Sequence, residues 1–226
     1  GNEISLNEDF YQAIRSYSSH AEDDQLKGYQ RKFLTETIIE FERNGFALSK
    51  ANRDQLKTIK DELAVISDQF SENIAAEDDF LEVDAADMDG LPNDYQEAHK
   101  QADGTYRIDL SYPSYGPFMK YSNSESARKA LFIKYQNRAA PENLEVLQRL
   151  LEKRREMANL LGYYSYSAYL LEDRMAQDPA TVWEFEEKLK KDLLAKTQLD
   201  VAELQAAKES NGGNSDQVKS WERSYY

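Results

Sequence analysis

The sequence predicts a mainly α-helical protein, a helical bundle that carries a two-stranded β insertion. Apolar side chains recur at three- and four-residue steps through most of the 226 residues, which is the spacing of one-faced helices. Two short segments, 80–83 and 105–110, break that spacing and are rich in β-branched and aromatic residues. We therefore expect helices over residues 1–76 and 123–226, with a strand–helix–strand insertion at 77–122.

Two long helices are predicted to meet in a short turn at Asn44 and Gly45. An Asn-Gly pair is typical of a helix end because both residues tolerate the left-handed backbone. Ser49 is a candidate N-cap for the second helix. The apolar residues of the first helix are Leu26, Tyr29, Phe33, Ile38 and Phe41, and those of the second are Leu56, Ile59, Leu63, Ile66, Phe70 and Ile74.

Two further helices are predicted in the second half of the chain. Pro141 suits the first turn of one helix, and Gly162 suits its end. Asp178 and Pro179 mark the start of the other, which is predicted to end at the Asn-Gly-Gly-Asn loop, residues 211–214. The apolar residues of these helices are Leu144, Leu147, Leu151 and Leu160, then Val182, Phe185, Leu189 and Leu193.

The insertion is predicted to contain two paired strands, because each strand is too short to be stable alone. A brief helix lies between them, with Pro92 near its first turn. Pro113 and Pro117 are predicted to prevent regular structure in the following segment, residues 111–122.

The amino-acid composition of the chain limits the kinds of partner that it can bind. The chain has 42 acidic and 28 basic side chains and a net charge of −14, so its long-range field repels nucleic acid and anionic membrane surfaces. It contains no cysteine, which excludes disulfides and thiolate metal sites. No apolar run approaches the roughly 20 residues that a membrane span needs.

No metal site is predicted. His20 and His99 are far apart in the sequence and belong to no H-E-x-x-H pattern, so each is interpreted as a solvated or capping residue. Residues 77–97 hold nine carboxylates, but a calcium loop with its glycine at Gly90 would place Ala85 at the first ligand position. A solvated acidic surface is the better interpretation.

No catalytic or substrate-binding residue is assigned either. The sequence contains no G-x-S-x-G pattern, and no serine is singled out by a histidine close to it in the chain. The pair Glu172 and Asp173 could perform acid–base chemistry, but the many other acids make that choice arbitrary.

Four tyrosines lie at the junction between two predicted helices, where Ser165 is a candidate N-cap. They are Tyr163, Tyr164, Tyr166 and Tyr169. A base-stacking platform needs interleaved Arg and Lys, and residues 160–171 contain none. Core packing with the hydroxyls at the surface is therefore predicted.

Several segments together resemble one family. LLGYYSYSAYLLEDRMA, residues 160–176, resembles the LLG-aromatic, A-x-x-x-L-E and M-A pattern of the thimet oligopeptidase and neurolysin family of zinc metallopeptidases. Four other segments resemble that family in the same order, from about residue 25 onward. They are GFALSKANRDQLKTIKDELAVISDQFSENI, FLEVD with GLPNDY, TYRIDLSYPSYGPFMKYSNSESARKALF and SWERSYY.

The resemblance implies the helical, non-catalytic part of an oligopeptidase, which forms one wall of a deep channel that admits short peptides. The H-E-x-x-H motif of the family would lie beyond residue 226, so no zinc ligand is carried over, and zinc would belong to the parent protein. The implied partner is the catalytic domain of the same polypeptide. There, zinc would polarise the attacking water and the motif glutamate would act as general base. A cytoplasmic location is expected, and a periplasmic one stays open.

A second interpretation is a stand-alone helical module that binds proteins or peptides without catalysis. The C-terminal aromatics bear on this choice. If the chain packs against a catalytic half, Trp221, Tyr225 and Tyr226 are expected to be frayed or covered by a neighbouring copy. A self-contained module would bury them itself.

Overall fold

The computed structural model describes residues 7–20, 26–213 and 216–226. Asn214, part of the predicted final loop, lies outside these ranges. The helices are α1 Glu8–Ser18, α2 Gly28–Arg43, α3 Lys50–Ala75, α4 Asn93–His99, α5 Tyr112–Tyr121, α6 Glu125–Gln136, α7 Ala140–Leu160, α8 Tyr166–Leu171 and α9 Pro179–Ser210. The strands are β1 Phe80–Val83 and β2 Tyr106–Asp109, and a 3-10 turn spans Ala85–Met88. The predicted class, mainly helical with a two-stranded insertion, is confirmed.

The chain folds into two compact units, and each unit is built from two separate stretches of sequence. The first unit comprises Gly1–Asp68 and Val146–Thr181. The second comprises Gln69–Glu145 and Val182–Tyr226.

In the first unit, the predicted turn between α2 and α3 is confirmed. Gly45 has a φ of +96°, and a Cβ there would lie 2.5 Å from the Leu56 side chain, so only glycine fits this turn. Ser49 Oγ accepts a hydrogen bond from the Asn52 amide at 3.3 Å, as an N-cap does. The turn brings Phe46 onto Phe41, with ring centroids 5.3 Å apart.

Two apolar clusters form the core of this unit. One contains Tyr11, Phe41 and Phe46, and the other contains Leu56, Ile59 and Met157. The predicted apolar face of α7 is wrong, because Leu144 and Leu151 are exposed. Helix α7 carries two neighbouring apolar stripes, and the buried one contains Val146, Leu150, Met157 and Ala158. On α2, Tyr29 and Phe33 are likewise exposed.

The second unit contains the β-hairpin, whose antiparallel pairing is confirmed. Phe80 pairs with Asp109, and Val83 pairs with Tyr106. Alternate residues face the core, so Val83, Tyr106 and Ile108 are buried while Arg107 faces outward. The core under the hairpin is completed by Met88, Leu91, Leu110, Phe118, Met119, Ala127 and Leu131.

The prediction that prolines keep residues 111–122 irregular is wrong, because α5 forms there. Pro113 occupies the first turn, where an amide has no acceptor within the helix. Pro117 removes one helical hydrogen bond in the interior. Burial of Phe118 and Met119, which are 0% and 3% exposed, offsets that loss.

The fraying expected of Trp221, Tyr225 and Tyr226 in a fragment is wrong, because all three are half-buried against this chain, and cover by a neighbouring copy stays a prediction. The Tyr225 hydroxyl donates to Asn123 at 2.8 Å, and its ring centroid lies 3.8 Å from the Arg128 guanidinium carbon. Trp221 donates to Glu125 at 3.4 Å. A continuous series of exposed apolar side chains lies along α9, namely Trp183, Phe185, Leu189, Leu193, Leu194, Leu199 and Val201.

A buried ion pair joins α9 to this C-terminal segment. Lys208 Nζ lies 3.0 Å from the Glu222 carboxylate, and the two side chains are 1% and 0% exposed. Burial raises the pKa of Glu222, but the Lys219 amide and Lys208 outweigh it, so the pKa lies below its ordinary value of 4.5. Arg128 is also buried, and its Nε has no hydrogen-bond partner among the described residues. Glu222 is therefore the one buried carboxylate of the described residues near two buried cations.

Glu222→Gln is expected to lower the free energy of unfolding by about 3 kcal/mol, because it leaves buried positive charge uncompensated. Since the folded pKa of Glu222 is lowered, its stabilisation is present above pH 4.5 and is lost as the pH falls through the folded value. Urea denaturation at pH 7 and at pH 3 measures both effects. Glu184→Gln, at an exposed position of α9, is the control. Equal midpoints for the two variants would contradict the prediction.

Candidate functional site

The first unit contains an open cleft of about 1060 Å³ between α2, the end of α7 and α8. Its lining combines the rings of Tyr163, Tyr166 and Tyr169 with five carboxylates. The carboxylates are Glu36, Glu40, Glu42, Glu172 and Asp173. The lining of this cleft is therefore amphipathic.

Arg43 organises one wall of the cleft. Its Nη1 donates to Glu172 at 2.7 Å, and its Nη2 donates to the Tyr169 carbonyl at 2.8 Å and lies 3.5 Å from Asp173. The guanidinium carbon also lies 4.5 Å from the Tyr169 ring centroid. Burial lowers the pKa of Arg43, but Glu172 and Asp173 outweigh it and the net change is upward. One side chain of α2 therefore fixes the position of α8.

The tyrosine cluster is mainly structural. Tyr166 and Tyr169 pack against the Leu56 cluster, which confirms the predicted core role for these two. Tyr164 is 79% exposed, so the core role predicted for it is wrong. The Tyr163 hydroxyl donates to Glu172, and burial together with this bond raises the pKa of Tyr163 to about 12.

Cations do contact these rings, although none is close in sequence. Arg43 reaches Tyr169 from α2, and Arg154 of α7 lies 5.3 Å from the Tyr166 ring centroid. Sequence reasoning missed both contacts because it considered only residues 160–171. Glu172 and Asp173, the carboxylate pair noticed in the sequence, are engaged by Arg43 and serve as its structural partners.

The acidic tract at 77–97 also has structural partners. Asp79 accepts two bonds from Lys134 at 2.7 Å, and this contact is the main cause that lowers the pKa of Asp79. Glu77 accepts from the Ala139 amide at 2.9 Å. Part of the predicted acidic surface therefore fastens the hairpin to α6 and the residues after it.

In the second unit, the fold brings together a serine, a histidine and an aspartate that sequence reasoning did not connect. The Ser114 hydroxyl donates to Asp109 Oδ2 at 3.0 Å, and His99 Nε2 lies 3.0 Å from Ser114 Oγ. His99 Nδ1 lies 2.7 Å from the Tyr95 carbonyl, which can only accept, so Nδ1 carries a proton. The Tyr95 ring stacks on His99, with centroids 4.0 Å apart.

This trio is not arranged for nucleophilic catalysis. In a catalytic triad the histidine takes the serine proton and the aspartate bonds the histidine, whereas here Ser114 bonds Asp109 directly. Ser114 is also only 5% exposed. Burial raises the pKa of Asp109, but bonds from Ser111 and Ser114 outweigh it and the net pKa is lowered. The trio links α4, β2 and α5 and is a structural network.

The described residues do not fit a zinc site. Among them, no group of three or more His, Cys, Asp or Glu side chains could hold a metal ion. Both ring nitrogens of His99 are engaged, and His20 Nδ1 lies 3.0 Å from the Ser16 carbonyl at the end of α1. No described helix is long and apolar enough to cross a membrane.

Comparison with known proteins identifies the family. The profile of Peptidase family M3 matches residues 118–226. Saccharolysin of Saccharomyces cerevisiae is 30% identical over 99% of this chain, and the alignment covers 33% of that relative. The chain belongs to family M3. Thimet-like oligopeptidase of Dictyostelium discoideum is 28% identical over 98% of the chain, and oligopeptidase A of Escherichia coli is 27% identical over 99%. Each of these two alignments covers 35% of the relative.

The chain thus spans about a third of the length of the family M3 relatives it matches. Glu172 and Asp173 lie inside the range that the family profile matches, and Arg43 lies outside it. The alignments with the relatives span nearly the whole chain, so both described units belong to the region of similarity.

Arg43→Gln is expected to lower the free energy of unfolding by about 2 kcal/mol, because the charged bond to Glu172 and the bond to the Tyr169 carbonyl are both lost. Arg43→Lys is expected to recover less than half of the loss, since an ammonium cannot bond two acceptors in one plane. Thermal denaturation measures the effect, with Arg31→Gln on the exposed surface of α2 as the control. A neutral Arg43→Gln would show that the contact contributes nothing.

Ser114→Ala is expected to lower the free energy of unfolding by about 2 kcal/mol, because Asp109 and His99 lose a buried partner. It is also expected to raise the pKa of Asp109 toward its ordinary value. Carboxyl carbon NMR during a pH titration follows Asp109 directly. Ser220→Ala, at an exposed position, is the control. An unchanged Asp109 titration would argue against the network.

Proposed function

We propose that this chain is the helical, non-catalytic part of an oligopeptidase of family M3 and forms one wall of a channel that admits short peptides. The observation that carries the proposal is the extent of similarity. Relatives named as oligopeptidases align with 98% to 99% of this chain but with only 33% to 35% of their own length. The parent protein would hydrolyse peptides, and this region would shape access to them.

The charge and shape of the described surface support a role in peptide access. The cleft beside Arg43 presents aromatic rings and carboxylates together, a combination that contacts peptide backbones and side chains of mixed character. One wall of the cleft is fixed by the bond between Arg43 and Glu172 at 2.7 Å. A rigid wall loses little conformational entropy when a peptide lies against it.

The catalytic zinc domain is proposed to lie in the remainder of the same polypeptide, after residue 226. The described residues of this chain do not fit zinc, so no catalytic step is assigned to them. The exposed apolar side chains of α9, such as Trp183 at 67% and Leu199 at 61%, support a partner surface of this kind. A cytoplasmic location of the parent stays a prediction.

The reading frame of the parent gene tests the proposal against the stand-alone module. An H-E-x-x-H motif in frame after residue 226 would support the oligopeptidase, because that motif supplies two zinc ligands and a general base. A stop codon at that point would favour a helical binding module.

The 226-residue chain alone is expected to cleave no quenched fluorescent peptide, whereas the parent protein is expected to cleave it. The reason is the missing donor set for zinc among the described residues. Activity is measured with and without a chelator, and mock purifications serve as the control. Chelator-sensitive cleavage by the chain alone would overturn the division of roles, and an inactive parent would overturn the peptidase assignment.

A further inference from the structure

A second cleft, of about 420 Å³, lies on the outward side of the β-hairpin. Its lining includes two arginines, Arg107 of β2 and Arg138 just after α6. Neither guanidinium forms an ion pair with a carboxylate in the part of the chain that the structure describes. In a chain with 42 acidic side chains, two such arginines in one cleft call for a physical explanation.

Arg138 is fixed in place without a negative partner. Its Nε donates to the Tyr135 carbonyl at 3.0 Å, and its Nη1 donates to the Leu110 carbonyl at 3.4 Å. The guanidinium carbon lies 3.8 Å from the Tyr135 ring centroid, and that ring is stacked on Tyr115 with centroids 3.8 Å apart. A guanidinium has five N–H donors, so these two bonds leave donors free on a side chain that is already ordered.

Arg107 is similarly placed. Its guanidinium carbon lies 3.6 Å from the Phe80 ring centroid, and its Nη2 approaches the Asp78 carbonyl at 3.5 Å. Glu82 is its cross-strand neighbour, yet no ion pair joins the two. The aromatic contact holds the guanidinium, and most of its donors remain available.

The carboxylates that line the same cleft already have donors. Glu77 accepts from the Asp79 and Ala139 amides. Asp79 accepts from Lys134 at 2.7 Å, and Asp109 accepts from the Ser111 amide and from Ser114. The exposed carboxylate of Asp78 has no such bond among the described residues. The polar groups of this cleft that have no partner among the described residues are therefore guanidinium donors and the exposed carboxylate of Asp78.

We propose that this cleft binds the C-terminal carboxylate of a short peptide. Arg138 supplies the Nη1 and Nη2 hydrogens that its two carbonyl bonds leave free, and Arg107 supplies a second cation. Asp78 accepts an N–H of the same peptide. The net charge of −14 opposes an anionic ligand, and at physiological ionic strength only the part of that repulsion beyond about 8 Å is screened. The lining also holds four carboxylates, so binding depends on directed bonds from the two guanidinium groups and not on a positive field. The choice of a peptide rests on the proposed function.

The test is a titration of the 226-residue chain with N-acetyl-trialanine, followed by NMR of the arginine side-chain Nε–H groups. The free acid is expected to shift the Arg107 and Arg138 signals, and the C-terminal amide is expected not to. Arg138→Gln is expected to weaken binding at least about tenfold, and Arg107→Gln is expected to weaken it less. Arg31→Gln, on α2, is the matched control and is expected to bind normally.

A third ligand separates the two sources of a carboxylate. N-acetyl-Ala-Ala-Asp amide carries only a side-chain carboxylate and is expected to bind more weakly than the free acid. Equal binding of the two would overturn the assignment to a C-terminus. Equal binding of acid and amide, or an unchanged affinity in Arg138→Gln and in Arg107→Gln, would overturn the site itself. Circular dichroism of each variant verifies that it is folded.

These outcomes are distinguishable from failure of the proposed function, because binding is measured on this chain and hydrolysis on the parent. A parent that cleaves peptides while the free acid leaves both arginine signals unchanged would overturn the site alone. An inactive parent, with the acid-specific shifts intact, would overturn the peptidase assignment and leave the carboxylate site standing.

Discussion

The excess of negative charge constrains how both units hold their segments together. With 28 basic side chains against 42 acidic ones, few cations are available for each contact. Three arginine side chains each contact two partners at once, an aromatic ring and a hydrogen-bond acceptor. Arg43, Arg128 and Arg138 each lie over a tyrosine ring, with distances of 4.5, 3.8 and 3.8 Å to the centroids, and each also donates in the guanidinium plane. A planar delocalised cation can lie with its face over a ring while its edge donates hydrogen bonds.

Two of these three arginine–tyrosine contacts, those of Arg43 and Arg128, hold a segment that is too short to be stable by itself. Helix α8 has 6 residues and depends on Arg43, and the C-terminal segment depends on Arg128 and on the Lys208–Glu222 pair. The apolar clusters alone would leave these segments weakly attached, because few of their side chains are fully buried. Apolar cores and ordered guanidinium groups therefore both hold the segments of this protein together.

Local chemistry explains what could be predicted from the sequence. The turn at Gly45 depends on the positive φ of that residue, and the caps at Ser49, Ser165 and Asp178 each bond an amide three residues ahead; all four are present. The strand pair followed from composition and length. The zinc metallopeptidase resemblance followed from ordered motifs, and it named the family correctly. The local role of a side chain and the order of the segments can both be predicted from the sequence.

The errors concern contacts between distant residues. The sequence of α7 offers two apolar stripes, and only the partners provided by α3 decide which one is buried. Helix α5 forms despite Pro117 because Phe118 meets a core assembled from the hairpin and α6. The Ser114 network joins residues from three elements, and neither spacing nor composition indicates it. Candidate sites of this kind become visible only once the topology is known.

The division of each unit into two stretches of sequence also sets the order in which it can be completed during synthesis. Arg128 leaves the ribosome first, Lys208 follows it, and Glu222 emerges last. Until the last segment emerges, the nascent second unit lacks Glu222, the buried carboxylate that accompanies these two cations. Because an uncompensated buried charge is costly, we expect these two side chains to be buried only once residues 216–226 are available, so that the second unit is completed late.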